Sequence, residues 1–344
     1  MSDAAEAAAA EPSAPEAAAV VPSTPDAPSA APEPSGGHFA TGEQFSLRFA
    51  GARGLSTAVV TELAASLREL VLQGIHSVET HSADVLPLMG SGLVLVPWPN
   101  RIADARWQLN GKTQQLDITE PATGNAIHGL LRNTAYRLVQ RTESSITLAA
   151  RVFPQHGYPF LLDTSVEYAL SDEGLTVTHT LVNRSADAAP VAVGAHPYLR
   201  VGGVLVDDLV VTVAAGTQFE VDARSIPTAE VNLDGSPFDL RRGRRVGDLA
   251  IDHGYGDVAV VEGRSTHSVT APDGSATELW GDENFGYVQV YTPNNFPREQ
   301  GPGYAVAIEP MTAPANAFNS GRGLRWLAPG ESWSVRWGIR HRPA

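Results

Sequence analysis

Four places in the chain set a group that is costly to bury at the end of an apolar run. Asn100 and Arg101 follow LVLVPWP, His128 lies in GNAIHGLL, His196 lies in GAHPYL, and Glu309 closes YAVAI ahead of Pro310. Burying even a neutral polar group without compensation costs roughly 2 to 7 kcal/mol, so each must be paired, solvated or turned toward a ligand. Taken singly, each is more often a structural or solvent-facing residue, and a histidine ending a buried strand is most often a hydrogen-bonded part of the core.

Two of the four gain interest from their neighbours. Alternation in YAVAIEPM puts Tyr304, Val306 and Ile308 on one face and Ala305, Ala307 and Glu309 on the other. In VAVGAHPYLRV, Ala192 and Gly194 share the side of His196, while Val191, Val193 and Ala195 take the opposite side. Two strands that each present an ionisable residue behind small neighbours could form the floor of a shallow cleft, with a base facing an acid. Carboxylate and imidazole suit those roles, because their ordinary pKa values of about 4.3 and about 6.5 bracket the working range. A nearby glutamate would favour the charged imidazole. The chain has no cysteine, which excludes thiol nucleophiles, disulfides and Cys-based zinc sites.

The elements that must position these groups read as strands. From Phe39 on, short alternating segments recur between turn signals: SSITLAARVF, DTSVEYALSDEGLTVTHTLVNRS, DVAVVEGRSTHSVTAPDGSATELW, YVQVYTP and ESWSVRWGIRH are rich in Val, Thr, Tyr and Trp. In RWQLNGKTQQLDI, Asn110-Gly111 suits a tight hairpin turn. Only TELAASLREL hints at a helix. Regular strand spacing without long helical patterns predicts an all-β fold, a large antiparallel β-sandwich. Its loops VPWPNRI, FPQHGYPF and YTPNNFPREQGPGY are the places where a β scaffold usually carries its site.

Residues 1–37 hold seven prolines and six acids but no Lys, Arg or aromatic residue, too little apolar surface to offset ordering entropy. They are expected to be a disordered tail, followed by a single domain over 38–344. The acids scattered among its alanines do not fit a signal peptide, and no segment reaches the length of a membrane span, so a cytoplasmic protein is expected. Of the net charge of -14 the tail carries six, and the remaining acidic balance makes nucleic acid and anionic membranes poor partners.

The elements PNRI, IHG, GAHPYL, IDHGYGD, VQVYTPNNF and AIEP, in this order and at these separations, resemble the aldose 1-epimerase (galactose mutarotase) family. The resemblance covers nearly the whole chain after the tail, and its specificity lies in the joint order of the motifs. It implies a galactose mutarotase-like supersandwich that binds a free sugar on one sheet and interconverts its α and β anomers. By residue, it implies Glu309 as the general base on the anomeric hydroxyl and His196 as the general acid on the ring oxygen. Arg101, His128, Asp252 and Gln289 would hold the sugar hydroxyls, with Asn100 beside them. The reaction needs only proton transfers, so no cofactor or metal is demanded. The expected partner is a small-molecule sugar, and the chain is expected to act as a monomer or homodimer.

Several motifs depart from the galactose type and resemble a bacterial branch. His128-Gly129 runs into Leu130, Leu131 and Arg132, HPY is followed by Leu199 and Arg200, and GYP by Phe160. These positions, Leu199 and Arg200 above all, are where the choice of sugar is expected to lie. The run RRGRR, Arg241 to Arg245, invites a phosphorylated or sulfonated sugar, since guanidinium forks bind such anions, although a solvated loop is the commoner role for such a run.

Other chemistries fit less well. A non-catalytic carbohydrate-binding protein would not need both Glu309 and His196. A metal site of His128, His196 and Glu309 lacks the His-x-His spacing common in such barrels. There is no GxSxG elbow, and Gly301-Pro302-Gly303 lacks the third glycine of a dinucleotide loop. Trp98 and Tyr198 could stack on a pyranose, but aromatics at strand ends are more often core, and they are left outside the site.

Overall fold

The structure is a computed structural model that describes residues 39–298 and 300–344. The expected tail over 1–37 lies outside the described residues. Two antiparallel sheets dominate. The larger has nine strands in the order Arg137–Arg141, Ser145–Val152, Leu162–Ser171, Gly174–Asn183, Ser332–Arg342, Ala276–Asp282, Arg264–Thr270, Val210–Thr212 and Arg244–Arg245. The second has seven, in the order Pro227–Asn232, Ala215–Val221, Asp252–Val258, Tyr287–Tyr291, Ala307–Met311, Gly194–Ala195 and Val94–Leu95. A four-stranded sheet is built from Gln44–Gly51, Gly54–Thr61, Leu67–Leu72 and Ile75–His76. Among the described residues the one α-helix is Ala317–Ser320, so no helix is long and apolar enough to cross a membrane.

Period-two patterning explains the layers. In Leu162–Ser171 the inward residues are Leu162, Thr164, Val166, Tyr168 and Leu170, and those between them face outward. Val177, Leu181, Leu279, Val335 and Ile339 of the nine-stranded sheet join Val288, Val290 and Ile308 of the seven-stranded sheet in one continuous core. Each such side chain contributes about 1.5–3 kcal/mol by leaving water. This is the expected β-sandwich. Asn110 and Gly111, at φ of 50° and 75°, form the expected hairpin turn between Arg106–Leu109 and Lys112–Gln115.

TELAASLREL is not helical. Its first residue ends the strand Gly54–Thr61, Ala64 and Ala65 turn the chain at positive φ, and Leu67–Leu72 returns as a strand. Tertiary bonds hold that turn: Ala64 N–H donates to the Thr134 carbonyl, and Tyr168 Oη donates to the Ala65 carbonyl at 2.7 Å. Helix propensity is a weak prior that such pairing overrides.

Candidate active site

Three adjacent strands set one polar face. Gln289 lies opposite Glu309 on one side and Gly254 on the other, and Gly254 is two residues from Asp252. Paired residues share a face in an antiparallel ladder, as do residues two apart, so Asp252, Gln289 and Glu309 project together. Val288, Val290 and Ile308 take the opposite face, into the core. Gln289 Nε2 donates to Asp252 Oδ1 at 2.5 Å. At Gly254 a side chain would have met Gln289 Oε1 at 3.2 Å and the Phe219 ring at 3.2 Å, so the glycine leaves room in the groove floor.

His196 enters from the neighbouring strand. VAVGAH is not continuous: Ala189–Val191 pairs with Arg325–Leu327, whereas Gly194–Ala195 pairs with Val94–Leu95 and, through Gly194, with Met311. The next residue, His196, reaches Glu309, with Nε2 at 3.4 Å from Oε1. The small residues that pointed to this pair are small for another reason. A Cβ on Gly194 would come within 2.7 Å of Pro99 Cβ, and Ala192 packs on Ala313 and Ala317. Ala305 and Ala307 pack on Tyr198 and Phe296. Close packing, not space for a ligand, accounts for them.

Burial sets the charges of the pair. It pushes the His196 imidazole down to about 4. It pushes the Glu309 carboxyl well above the usual range, with Asp252 adding to the rise and Arg101 opposing it. The charged imidazole expected from a nearby glutamate is therefore not favoured, because desolvation acts against both charges. Glu309 Oε2 and His196 Nδ1 are buried without a hydrogen-bond partner among the described residues.

The remaining expected residues gather around this pair. The Arg101 guanidinium makes a two-pronged contact with Glu120, Nε to Oε2 at 2.8 Å and Nη2 to Oε1 at 2.9 Å, and its Nη1 lies 3.5 Å from Asp252 Oδ2. The His128 ring packs edge-on to His196, with centroids 5.4 Å apart. Its Nδ1 accepts the backbone N–H of Asn100 at 3.3 Å, which leaves Nε2 as the donor of the neutral ring. Burial, then the cations around it, keep that ring neutral. The Asn100 side chain accepts the Arg101 N–H at 2.8 Å and so fixes the turn that carries the arginine. Asn100, Arg101, Asp252 and Gln289 line one concavity with Phe219 and Gly254. All seven expected residues thus come together.

Three contributors escaped the sequence reading. Glu120 fixes the Arg101 plane, and nothing in TEPATGN announces it. Phe219 supplies an aromatic wall to the groove. Tyr198, set aside as core, is buried, and its ring stacks on that of His196 at 5.1 Å and 27°. Trp98 is core, against Tyr158 and Phe318. Leu199 and Arg200, expected to bear on the choice of sugar, are not among the residues that line this concavity. Leu199 is buried in the core, and Arg200 bonds the Gly202 carbonyl and reaches Glu79 at 3.6 Å. In RRGRR, Arg241 is taken by Asp234 and Asp239, and Arg245 by Asp208. Among the described residues, no three His, Asp or Glu side chains converge as metal ligands.

The same sandwich recurs in solved structures. A galactose mutarotase-like protein from Clostridium acetobutylicum superposes with a TM-score of 0.75 at 20% identity, over 88% of this chain and 96% of that one. A GalM/aldose epimerase homologue from C. elegans gives 0.75 at 18% identity, over 87% of this chain and 99% of that one. These define the class as a galactose mutarotase-like β-sandwich. The chain belongs to the aldose 1-epimerase family, whose model matches residues 54–340. It is 35% identical over 278 residues to the uncharacterized protein YihR of Escherichia coli K12, covering 80% of this chain and 86% of that one. It is 32% identical over 158 residues to human galactose mutarotase, covering 44% of this chain and 45% of that one.

Proposed function

We propose that the chain is an isomerase that interconverts the α and β anomers of a free aldohexose. The observation that carries this reading is the buried Glu309–His196 pair, 3.4 Å apart, with Glu309 paired across the ladder to Gln289 of a groove rich in hydrogen-bonding groups. Glu309 takes the proton of the anomeric hydroxyl while His196 Nε2–H gives a proton to the ring oxygen. The bond from C1 to that oxygen breaks, and the aldehyde rotates about C1–C2. Closure on the other face runs both proton transfers in reverse.

Ring opening converts a carboxylate and imidazolium into a carboxylic acid and imidazole, and closure restores the charges. Burial favours the neutral couple, so the shared proton must pass from Glu309 to His196 before ring opening, which then returns the pair to its favoured state. Asp252, Gln289, Arg101 and His128 Nε2–H supply acceptors and donors for the sugar hydroxyls, and Phe219 an apolar wall for the ring. Positioned proton transfer contributes typically about 10²–10⁴-fold per group.

An anionic sugar is the second reading, and one observation favours it. Arg132 has no carboxylate partner among the described residues, and it lines a concavity of about 430 Å³ that includes His128. Of RRGRR, Arg241 and Arg242 line a different concavity, with Asp234 and Asp239.

The test is exchange NMR between anomers of glucose, galactose and their 6-phosphorylated and 6-sulfonated counterparts, with methyl glycosides as blocked controls. The wild-type chain is expected to accelerate exchange of free sugars only, and Glu309→Gln to slow it by about 10²–10⁴-fold. A Glu309→Gln chain that binds sugar and keeps the full rate would sink the assignment. Faster exchange of the anionic sugars, lost in Arg132→Ala, would select the second reading.

A further inference from the structure

A buried carboxylate with two partly exposed arginine partners is left without a role by the proton transfers. The Glu79 side chain is 3% exposed, yet it holds Arg298 at 2.6 Å and lies 3.6 Å from Arg200. A carboxylate removed from water loses several kcal/mol of solvation, and replacing such pairs by apolar residues is often neutral or stabilising. The cluster is therefore weakly explained by stability, and what it touches suggests a role in geometry.

Its contacts lead to the imidazole in three steps. Arg298 also donates to the Tyr304 carbonyl, which pins the loop that returns from Tyr287–Tyr291 to Ala307–Met311. The same guanidinium lies over the Phe296 ring at 5.5 Å, and that ring packs on Tyr198 at 4.8 Å. Tyr198 in turn stacks on His196. Glu79 is bonded to this chain of rings at both ends, since its backbone N–H donates to the Tyr198 carbonyl at 2.9 Å. Tyr198 Oη donates to the Met89 carbonyl at 3.2 Å, and at the next residue a Cβ on Gly90 would crowd His196 Cδ2 at 3.2 Å. The imidazole thus sits in a slot formed by Tyr198 and Gly90.

We propose that Glu79 and Arg298 are positioning residues that, through Phe296 and Tyr198, lock the His196 imidazole against Glu309. The inference rests on the proposed role of His196 as the general acid. Neither residue is among those that line the concavity with Asn100, Arg101, Asp252 and Gln289. Loss of the lock misplaces the proton donor, and a displacement of about 1 Å can cost on the order of 10²-fold in rate.

The test compares the wild-type chain with Glu79→Gln, Arg298→Gln and Arg298→Lys, reading kcat, KM and the His196 imidazole titration by ¹⁵N NMR. In Glu79→Gln and Arg298→Gln we expect kcat to fall about 10-fold or more with KM held, and the His196 titration to move up toward the ordinary range as its slot loosens. Arg298→Lys, which keeps the charge, should recover part of both. A folded Glu79→Gln or Arg298→Gln chain with unchanged kcat and unchanged titration overturns the proposal. Phe296→Leu keeps the ion pair and removes the ring, so it decides the matter by the same two readouts if the charge variants do not fold. A wild-type chain that exchanges no anomers would remove the proposed function, while the titration alone would still report whether the cluster holds the ring.

Discussion

His179 and His196 are both buried histidines on β-sheets, and both are pushed by burial to pKa values far below the ordinary one, about 3 and about 4. His179 sits within the nine-stranded sheet, where its Nε2 accepts the Trp337 indole N–H at 2.9 Å. His196 directly follows the Gly194–Ala195 strand of the seven-stranded sheet, and its Nε2 faces a carboxyl that burial pushes the opposite way. One ring holds an indole in place, and the other faces a group with which it can exchange a proton. Burial and a displaced pKa do not distinguish them. The partner does, and it comes from a strand more than a hundred residues away in sequence.

Exchanging each histidine is the strongest way to break this contrast. His196→Asn is expected to slow anomer exchange by about 10²–10⁴-fold. His179→Leu leaves the Trp337 N–H buried without an acceptor, at a cost of about 1–3 kcal/mol in stability, with the exchange rate per folded molecule unchanged. Exchange NMR and denaturant unfolding on both variants measure the two effects. If His179→Leu slows exchange as much as His196→Asn does, the division of labour between the sheets is wrong.

Acidification should separate the two sheets more gently. His179 and His267 stay neutral in the fold down to about 3 and about 4, whereas unfolded histidine takes up a proton near 6.5. Between those values the unfolded chain binds more protons, so stability is lost as pH falls, by at most about 1.4 kcal/mol per pH unit for each histidine. The Glu309–His196 pair needs one shared proton. Burial lowers the step that adds a second and raises the step that removes the last, which widens its working window at both ends. Over pH 6.5 to 4.5 the unfolding midpoint is therefore expected to fall while the exchange rate of folded molecules stays nearly flat. A rate that falls in step with stability would show that the pair's window is not widened.

The fold was legible because period-two patterning is local: Leu162–Ser171 and Ser332–Arg342 announce their buried faces residue by residue. The helix expected at TELAASLREL failed because its turn depends on bonds to Thr134 and Tyr168, which no local pattern contains. At the site, the polar residues ending apolar runs are a local signal, and the side chains they pointed to, Asn100, Arg101, His128, His196 and Glu309, lie near one another in the fold. The inference from small neighbours pointed to two side chains that do meet, but through a wrong cause, since Gly194 makes way for Pro99. Glu120 and Glu79 were invisible, because each acts through a guanidinium that is its neighbour only in space.

The smallest effects compare two carboxylates that each serve arginine. Glu120 holds Arg101 by two short contacts beside the groove, and Glu278 of the nine-stranded sheet holds Arg340 and Arg342 at 2.6 and 3.0 Å. Arg340 and Arg342 are well exposed, so solvent screens that cluster and Glu278→Gln should cost no more than about 1 kcal/mol in stability. Glu120→Gln cannot accept on both prongs, so the guanidinium loses its fixed plane while keeping its charge. A misoriented fork binds hydroxyls less well in ground and transition states alike, so KM should rise by about 10-fold with kcat nearly held. Sugar titration of exchange rates in both variants checks this. Equal KM values in the two would mean that Arg101 needs no partner to hold it, and that its contact with Glu120 is surface pairing like that of Glu278.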